Sequence, residues 1–242
     1  MIYDCAVIGA GPAGIIATIQ LRRSGLSSIL FEKKRVGGLL WNANKIENYL
    51  GFEEISGPDL TSIFSSQLKS FDPTIIPAQV ISIKKTKQIF TTKTQEEEYR
   101  SKAVIVATGT LPKKAGIPGE EHLNKAESPK IFYEMYDIPK NYKSNGTAIL
   151  IGGGDVGFDN ALNLKSMGYN PIIVTRNKVS CLKPLKQRAN QRGIEYFEDV
   201  NPTLIQLIGN QIQLVCKEKQ FKGDFILVAV GRKPQLSHAE ET

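Results

Sequence analysis

The first 32 residues constrain this chain more than any other stretch. Ile2-Tyr3-Asp4-Cys5-Ala6-Val7-Ile8 is an apolar run entering Gly9-Ala10-Gly11-Pro12-Ala13-Gly14; a helical segment follows, and Ile29-Leu30-Phe31 ends in Glu32. Strand, Gly-x-Gly-x-x-Gly turn, helix, strand and acid, in that order, are the sequence form of a dinucleotide-binding βαβ unit. Gly9 permits the tight turn, Gly11 lets a pyrophosphate approach the backbone, and Gly14 lets the helix pack on the strand. The helix N-terminus offers unpaired N–H groups to phosphates, and Glu32 stands where a carboxylate accepts from a ribose.

The pattern recurs. Ala148-Ile149-Leu150-Ile151 enters Gly152-Gly153-Gly154-Asp155-Val156-Gly157, a helix reads through Phe158, Ala161, Leu162 and Leu164, and Pro171-Ile172-Ile173-Val174 leads to Thr175-Arg176. Two fingerprints, each with its strands and helix, imply two dinucleotides. Their second strands end differently. Glu32 welcomes a ribose hydroxyl and repels a 2′-phosphate, whereas Arg176 and Lys178 would pair with that phosphate. The first site therefore suits an adenine dinucleotide lacking the phosphate, and the second favours NADPH with NADH still possible. A solvated loop is the plain alternative for Arg176 and Lys178.

Between the fingerprints the chain carries Val36-Gly37-Gly38-Leu39, then Glu47-Asn48-Tyr49 and Gly51-Phe52. The paired glycines let backbone approach a flat ligand, and Asn48 has a donor and an acceptor for a ring or polyol. Trp41, Tyr49 and Phe52 fit core packing as well as ligand contact. Leu60 to Ser70 reads as an amphipathic helix with Leu60, Ile63, Phe64 and Leu68 on one face. Gln79–Ile83 and Gln88–Thr92 suggest an antiparallel meander, and Ala103–Val106 a buried strand ending in Ala107-Thr108-Gly109. Pro112 and Pro118 mark a boundary, and Ser144-Asn145-Gly146 a turn. Farther on, Gly193 is a candidate helix C-cap, and Gln211–Val215 and Asp224–Val230 read as strands before Gly231-Arg232-Lys233-Pro234.

Composition bounds the rest. A chain of 242 residues, 41% hydrophobic and 23% charged, can bury the core of a globular protein. No run of 18 apolar residues marks a membrane span, and the chain enters its first strand without a signal peptide, so a cytoplasmic protein is expected. The charge of +7 is scattered over Lys33-Lys34-Arg35, Lys84-Lys85 and Lys113-Lys114 without a nucleic-acid motif, which argues for a solvated basic surface. Cys5, Cys181 and Cys216 are too far apart in sequence for a disulfide framework or a zinc site. His122 and His238 lie in loop-like or terminal sequence, so no metal site and no acid–base residue is expected.

These motifs together resemble the thioredoxin-reductase-like flavoproteins. The matching residues are Gly9 to Gly14, Glu32, Gly37-Gly38, Glu47-Asn48, Gly51-Phe52, Ala107-Thr108-Gly109, Gly152 to Asp155, Arg176 and Val230 to Pro234, in the family's order. The resemblance implies an α/β fold of two Rossmann-like domains, three-layered, each with a small antiparallel meander. It places an FAD domain over 1–112 with 232–242 as its return segment, and an NAD(P)H domain over 113–231. FAD would meet Gly9, Gly11, Pro12, Ala13, Gly14, Glu32, Lys33, Gly37, Gly38, Leu39, Asn48, Val80, Ala107, Thr108 and Gly109. NADPH, or NADH, would meet Gly152, Gly154, Asp155, Val156, Gly157, Arg176, Lys178 and Gly231. Hydride would pass to the flavin, which does the chemistry, so no catalytic side chain is implied.

Two departures qualify the resemblance. The family's Cys-x-x-Cys is absent, the corresponding stretch being Met135-Tyr136-Asp137-Ile138, and after Pro234 only Gln235 to Thr242 remain of the return segment, so the FAD domain reads as shortened. The expectation is an oxidoreductase handing electrons to a small redox protein such as ferredoxin, or to a small molecule, with a homodimer possible. A sensor or assembly factor without turnover, and a diverged thioredoxin reductase using a partner's cysteines, are the alternatives.

Overall fold

The computed structural model describes residues 1–139 and 145–235. Part of the Ser144-Asn145-Gly146 turn, His238 and residues 236–242 of the expected return segment lie outside them. The chain divides into two compact units.

The first unit contains β1 (Ile2–Ile8), α1 (Pro12–Arg23), β2 (Ser28–Phe31), α2 (Gly57–Lys69), β3 (Thr74–Ile76), β4 (Ser82–Thr86), β5 (Ile89–Lys93) and β6 (Glu98–Val106). They form one sheet in the order β3-β2-β1-β6-β5-β4. β1 to β3 and β6 are parallel, and β5 and β4 continue antiparallel from β6. Ala6, Ile8, Ile29, Phe31, Val80 and Ile83 close one apolar core, with Tyr99 edge-on to Phe31 at 5.2 Å. The meander is thus part of the main sheet.

α1 starts where Pro12 has no N–H to lose, buries Gly14, Ile15, Thr18 and Ile19, and ends with Arg22 and Arg23 against the helix dipole. α2 begins three residues earlier than the sequence suggests. The Ser56 hydroxyl accepts from the Asp59 N–H at 3.2 Å and caps it. Its buried row is Leu60, Thr61, Phe64 and Leu68, whereas Ile63 is exposed. At about 100° per residue, Thr61 falls only about 20° beyond the arc of the other three, whereas Ile63 falls about 60° beyond its other edge. Two further expectations are corrected. The strand expected from Gln79 starts at Ser82, and Ala103 and Ile105 on one face of β6 and Val106 at its end on the other, in the strand expected to be buried, are exposed.

β7 (Thr110–Pro112) leads into the second unit. There follow α3 (Glu120–Asn124), β8 (Ile131–Phe132), β9 (Thr147–Ile151), α4 (Asp155–Ser166), β10 (Asn170–Val174), α5 (Lys183–Gln191), β11 (Glu195–Phe197), β12 (Pro202–Ile208), β13 (Gln211–Cys216), β14 (Gln220–Gly223) and β15 (Phe225–Val228). β16 (Arg232–Pro234) pairs with β7 as the chain returns. The sheet β11-β10-β9-β15-β8 is parallel throughout. One face buries Leu150, Ile173 and Phe225 with Phe158, Leu162, Leu164 and Ala189 of α4 and α5. The other buries Ile149, Ile151, Val174 and Ile226 against Ile205, Ile212, Leu214 and Phe221 of the antiparallel β12-β13-β14 sheet. That makes three layers. The strand expected over Asp224–Val230 is shorter, Phe225–Val228, and His122 sits on α3 rather than in a loop.

Residues Asn42–Ile46, which a contiguous first domain would include, belong to the second unit. The Asn42 amide donates to Glu134 Oε2 at 2.7 Å, and the Asn44 N–H donates to Asp159 Oδ2 at 3.2 Å. Polar partners override sequence proximity here.

Candidate dinucleotide sites

The fingerprint turns lie at the C-terminal ends of β1 and β9, where neighbouring strands lead away in opposite directions along the sheet. Ligands of open α/β sheets bind at such switch points. The two turns are built alike. Gly9 N–H donates to Phe31 O at 2.8 Å and Gly152 N–H to Val174 O at 3.0 Å; Ala107 N–H donates to Ile8 O at 2.8 Å and Ala229 N–H to Ile151 O at 2.8 Å. A Cβ on Gly9 would strike Ala107 O, and one on Gly152 would strike Ala229 O. A Cβ on Gly14 would strike Gly9 O, and one on Gly157 would strike Gly152 O. These four glycines hold strand, turn and helix together.

The middle glycines differ. A Cβ on Gly11 would meet nothing within 4 Å, and one on Gly154 only Ser180 Oγ at 3.9 Å. Both are helix N-caps without a side-chain cap. The first-turn N–H groups of α1 and α4 are therefore open to an anion, as a bound pyrophosphate requires. Pro12 and Ala13 form the first turn of α1, and Val156 lies half exposed on that of α4.

Around the first turn the structure gathers Gly37 and Gly38. Gly37 N–H donates to Ala10 O at 2.7 Å, and a Cβ on Gly38 would come 3.1 Å from Gly11 Cα. Gly37 also packs against Thr61, whose buried hydroxyl has no hydrogen-bond partner among the described residues. An open anion cradle beside side-chain-free backbone and an orphaned hydroxyl fits FAD. Glu32 Oε2 accepts from Ala10 N–H at 2.9 Å and Oε1 from Lys34 N–H at 2.8 Å, which fixes the carboxylate at the turn with lone pairs to spare.

Lys33, Thr108 and Gly109 meet at a residue that sequence reasoning missed. Lys33 Nζ donates to Gln235 Oε1 at 3.2 Å, Thr108 Oγ1 to Gln235 O at 2.5 Å, and Gln235 N–H to Gly109 O at 3.1 Å. Gln235 is buried, which its place one residue past the Gly-Arg-x-Pro motif did not signal. Leu39 is exposed, Asn48 lies with Glu47 and Tyr49–Glu53 around a cavity of about 390 Å³, and Val80 turns its side chain into the core, leaving only its backbone for a ligand.

At the second turn the strand-end register is informative. Phe31 and Val174 make the same bond to the turn, so Glu32 corresponds to Thr175, and Lys33 to Arg176. Thr175 packs on Gly153, where the first unit has its acid. Arg176 Nη2 donates to Ala115 O at 3.0 Å and is otherwise exposed. Lys178 is paired with Asp199 at 2.5 Å and Glu198 at 3.7 Å, which raises its pKa and occupies its charge. Asp155 Oδ1 accepts from Leu182 N–H at 2.7 Å, and Gly231, at φ +106°, accepts through its carbonyl from Lys113 N–H at 2.9 Å. Arg232 donates to the buried Glu134 at 2.8 Å.

One cysteine, Cys181, lies beside the second turn, between Ser180, whose N–H donates to Gly153 O at 3.0 Å, and Leu182. Cys5 and Cys216 are buried in β1 and β13, Cys181 is half-buried before α5, and all three are free. Burial pushes each thiol up, in Cys181 with help from Asp155 and in Cys5 from Asp4, so the reactive thiolate is disfavoured at each. The stretch Met135–Asp137 is a single 3₁₀ turn with Met135 buried. No helix among the described residues is long and apolar enough to cross a membrane.

Comparison with known proteins agrees with this geometry. Residues 3–242 match the model of the pyridine nucleotide-disulphide oxidoreductase family. A thioredoxin reductase of Bacillus subtilis is 28% identical over 254 residues, covering 96% of this chain and 75% of the relative; one of Listeria monocytogenes is 32% identical over 211 residues, covering 86% and 64%. The chain thus spans between about three fifths and three quarters of the length of such relatives. The crystal structure of Lactococcus lactis thioredoxin reductase superposes with a TM-score of 0.87 at 28% identity, covering 97% of this chain and 79% of that one. The α/β class and the flavoprotein resemblance read from the sequence are borne out, and FAD and NADPH are the cofactors of that class. With its duplicated turn and this match along nearly all its length, the chain belongs to the pyridine nucleotide-disulphide oxidoreductase family.

Proposed function

We propose that this protein is an FAD-dependent NADPH oxidoreductase that passes electrons to an acceptor outside its own chain. The observation that carries the reading is one backbone turn built twice, with an acid at the strand end of one copy and Thr175-Arg176 at the other. FAD and NADPH, when bound, supply hydride transfer and onward electron transfer. The chain binds, orients and discriminates. The first turns of α1 and α4 receive the pyrophosphates. Glu32 accepts from ribose hydroxyls and repels a 2′-phosphate. Beside the second turn no carboxylate occupies that position, and a 2′-phosphate meets Arg176 instead.

Three free thiols disfavoured as thiolates support an external acceptor over an internal disulfide. A small redox protein is the acceptor this reading favours. The charge of +7 suits an acidic carrier such as a ferredoxin. The setting assumed is a cytoplasmic homodimer.

The test is the visible spectrum of the protein with FAD supplied, followed by anaerobic NADPH and NADH. Flavin absorbance that bleaches with NADPH, and more slowly with NADH, is expected; stoichiometric flavin that neither nicotinamide reduces would leave a nucleotide sensor. A second reading, a thioredoxin reductase using its partner's cysteines, is favoured by the names of the relatives at 28–32% identity. It predicts NADPH-dependent reduction of an added disulfide protein that persists when Cys5, Cys181 and Cys216 are all serine.

A further inference from the structure

Glu120 is a buried carboxylate, 3% exposed, that the proposed chemistry does not use. Four donors converge on it. Oε1 accepts from Ala115 N–H at 2.9 Å and from the Tyr133 hydroxyl at 2.7 Å; Oε2 accepts from Gly116 N–H at 2.7 Å and Ile117 N–H at 3.2 Å. A carboxylate has about four lone-pair sites, so this one is filled. The loop cannot shift without vacating some of them. Farther along, Ile205 N–H donates to Pro118 O at 2.8 Å, and a Cβ on Gly119 would strike Ile205 O, which fixes the loop's other end.

Outward, the loop presents the Ala115 carbonyl. Ala115, whose N–H is held by Glu120, turns its oxygen to Arg176 Nη2 at 3.0 Å. Tyr133, Glu120, Ala115 and Arg176 are therefore joined by three successive hydrogen bonds, from the interior to an exposed guanidinium. Arg176 spends one of five N–H donors on this bond and keeps the others for solvent. Lys178, the neighbouring cation, is already held by Asp199 and Glu198.

We infer that the Glu120–Tyr133 pair is a positioning device that aims Arg176 at the 2′-phosphate of the nicotinamide dinucleotide, making Tyr133 a specificity-determining residue distant in sequence from the fingerprint. The inference rests on reading the second turn as the NADPH site. An arginine free to swing attracts a phosphate as a point charge does; one with a fixed plane can present two parallel N–H groups to it.

The test measures binding, by calorimetric titration of the full chain with 2′,5′-ADP, which carries the 2′-phosphate, and with 5′-AMP, which does not. Wild type, Tyr133→Phe, Arg176→Ala and the double variant are compared. Tyr133→Phe is expected to weaken 2′,5′-ADP about fivefold, the worth of roughly one hydrogen bond, to leave 5′-AMP unchanged, and to add nothing once Arg176 is alanine. Equal loss for both ligands, no loss, or the same loss in the Arg176→Ala background would overturn it. Should Tyr133→Phe not fold, Glu120→Gln is read in the same way. Arg176→Ala alone examines the underlying site: no change in 2′,5′-ADP affinity sinks the NADPH reading, whereas a large change beside a silent Tyr133→Phe sinks only the positioning role.

Discussion

Asp4 and Asp159 both accept hydrogen bonds from backbone N–H groups, yet their surroundings push them in opposite directions. Lys102 at 2.7 Å, with the Ser27 hydroxyl and N–H, holds the Asp4 carboxyl well below the usual range. Burial raises that of Asp159, against the Asn44 N–H and the more distant Arg188. The consequences for stability have opposite sign. A lowered carboxyl contributes stability above its unfolded value, near pH 4, and loses it as pH falls toward the folded value. Asp4→Asn should therefore be less stable than wild type at pH 7, the gap closing as the pH falls from about 4 to 2. A raised carboxyl costs stability as pH rises past about 4. Asp159→Asn, which keeps an oxygen for Asn44, should match wild type at pH 3 and melt higher at pH 7. Urea titrations at pH 7, 4, 3 and 2 check both, and two changes of the same sign would refute the assignment. The turn glycines separate in a similar way. Gly14→Ala, striking Gly9 O, should destabilise by at least about 2 kcal/mol, whereas Gly11→Ala, with φ −71° and open space, should leave the melting temperature within a degree or two and weaken FAD binding more than tenfold. These turns were legible in the sequence because a glycine pattern specifies backbone directly. Gln235 was not, because Lys33 and Thr108 lie more than a hundred residues away along the chain, and Glu120 was not, because its partners are mostly backbone N–H groups that no side-chain pattern marks.

At the level of elements, the β12-β13-β14 sheet carries a ladder of amides. Gln206 Nε2 donates to Gln213 Oε1 at 2.8 Å, and Gln213 Nε2 to Gln220 Oε1 at 2.9 Å. Gln213 is buried at the centre, flanked along β13 by Ile212 and Leu214. Gln213→Ala removes both bonds and opens a cavity, so it should cost about 2–4 kcal/mol, read as a lower urea midpoint. Gln206→Ala, at the exposed end, should cost less than about 1 kcal/mol. Only β13 of these three strands was legible. β12 starts on Pro202 and buries only Pro202 and Ile205, which matches no period-two pattern, and β14 is four residues with a glycine. The central strands were clear because burial on both faces leaves continuous apolar runs, as in Ala148–Ile151 and Phe225–Val228. α2 was misplaced at its start because its cap, Ser56, lies before a Gly-Pro that reads as a turn.

For the whole molecule, two units with separate cores and separate cradles should not melt as one. Differential scanning calorimetry is expected to resolve two transitions, FAD raising one and 2′,5′-ADP the other. At a ligand concentration 100 times its Kd, each gains about 2.7 kcal/mol. A single transition raised equally by both ligands would refute separate sites. The division itself was legible from the duplicated fingerprint, and its detail was not: the recruitment of Asn42–Ile46 into the second unit depends on Glu134 and Asp159, about a hundred residues onward.

The first turn, Gly9 to Gly14, has one more property. It grips with main-chain atoms alone, and none of its six residues carries a side chain that ionises or that peroxide attacks. A flavoprotein whose electrons leak to oxygen makes its own corrosive at the point of use. This cradle contains nothing to corrode, so oxidative ageing should spare the hold on the pyrophosphate and appear first elsewhere.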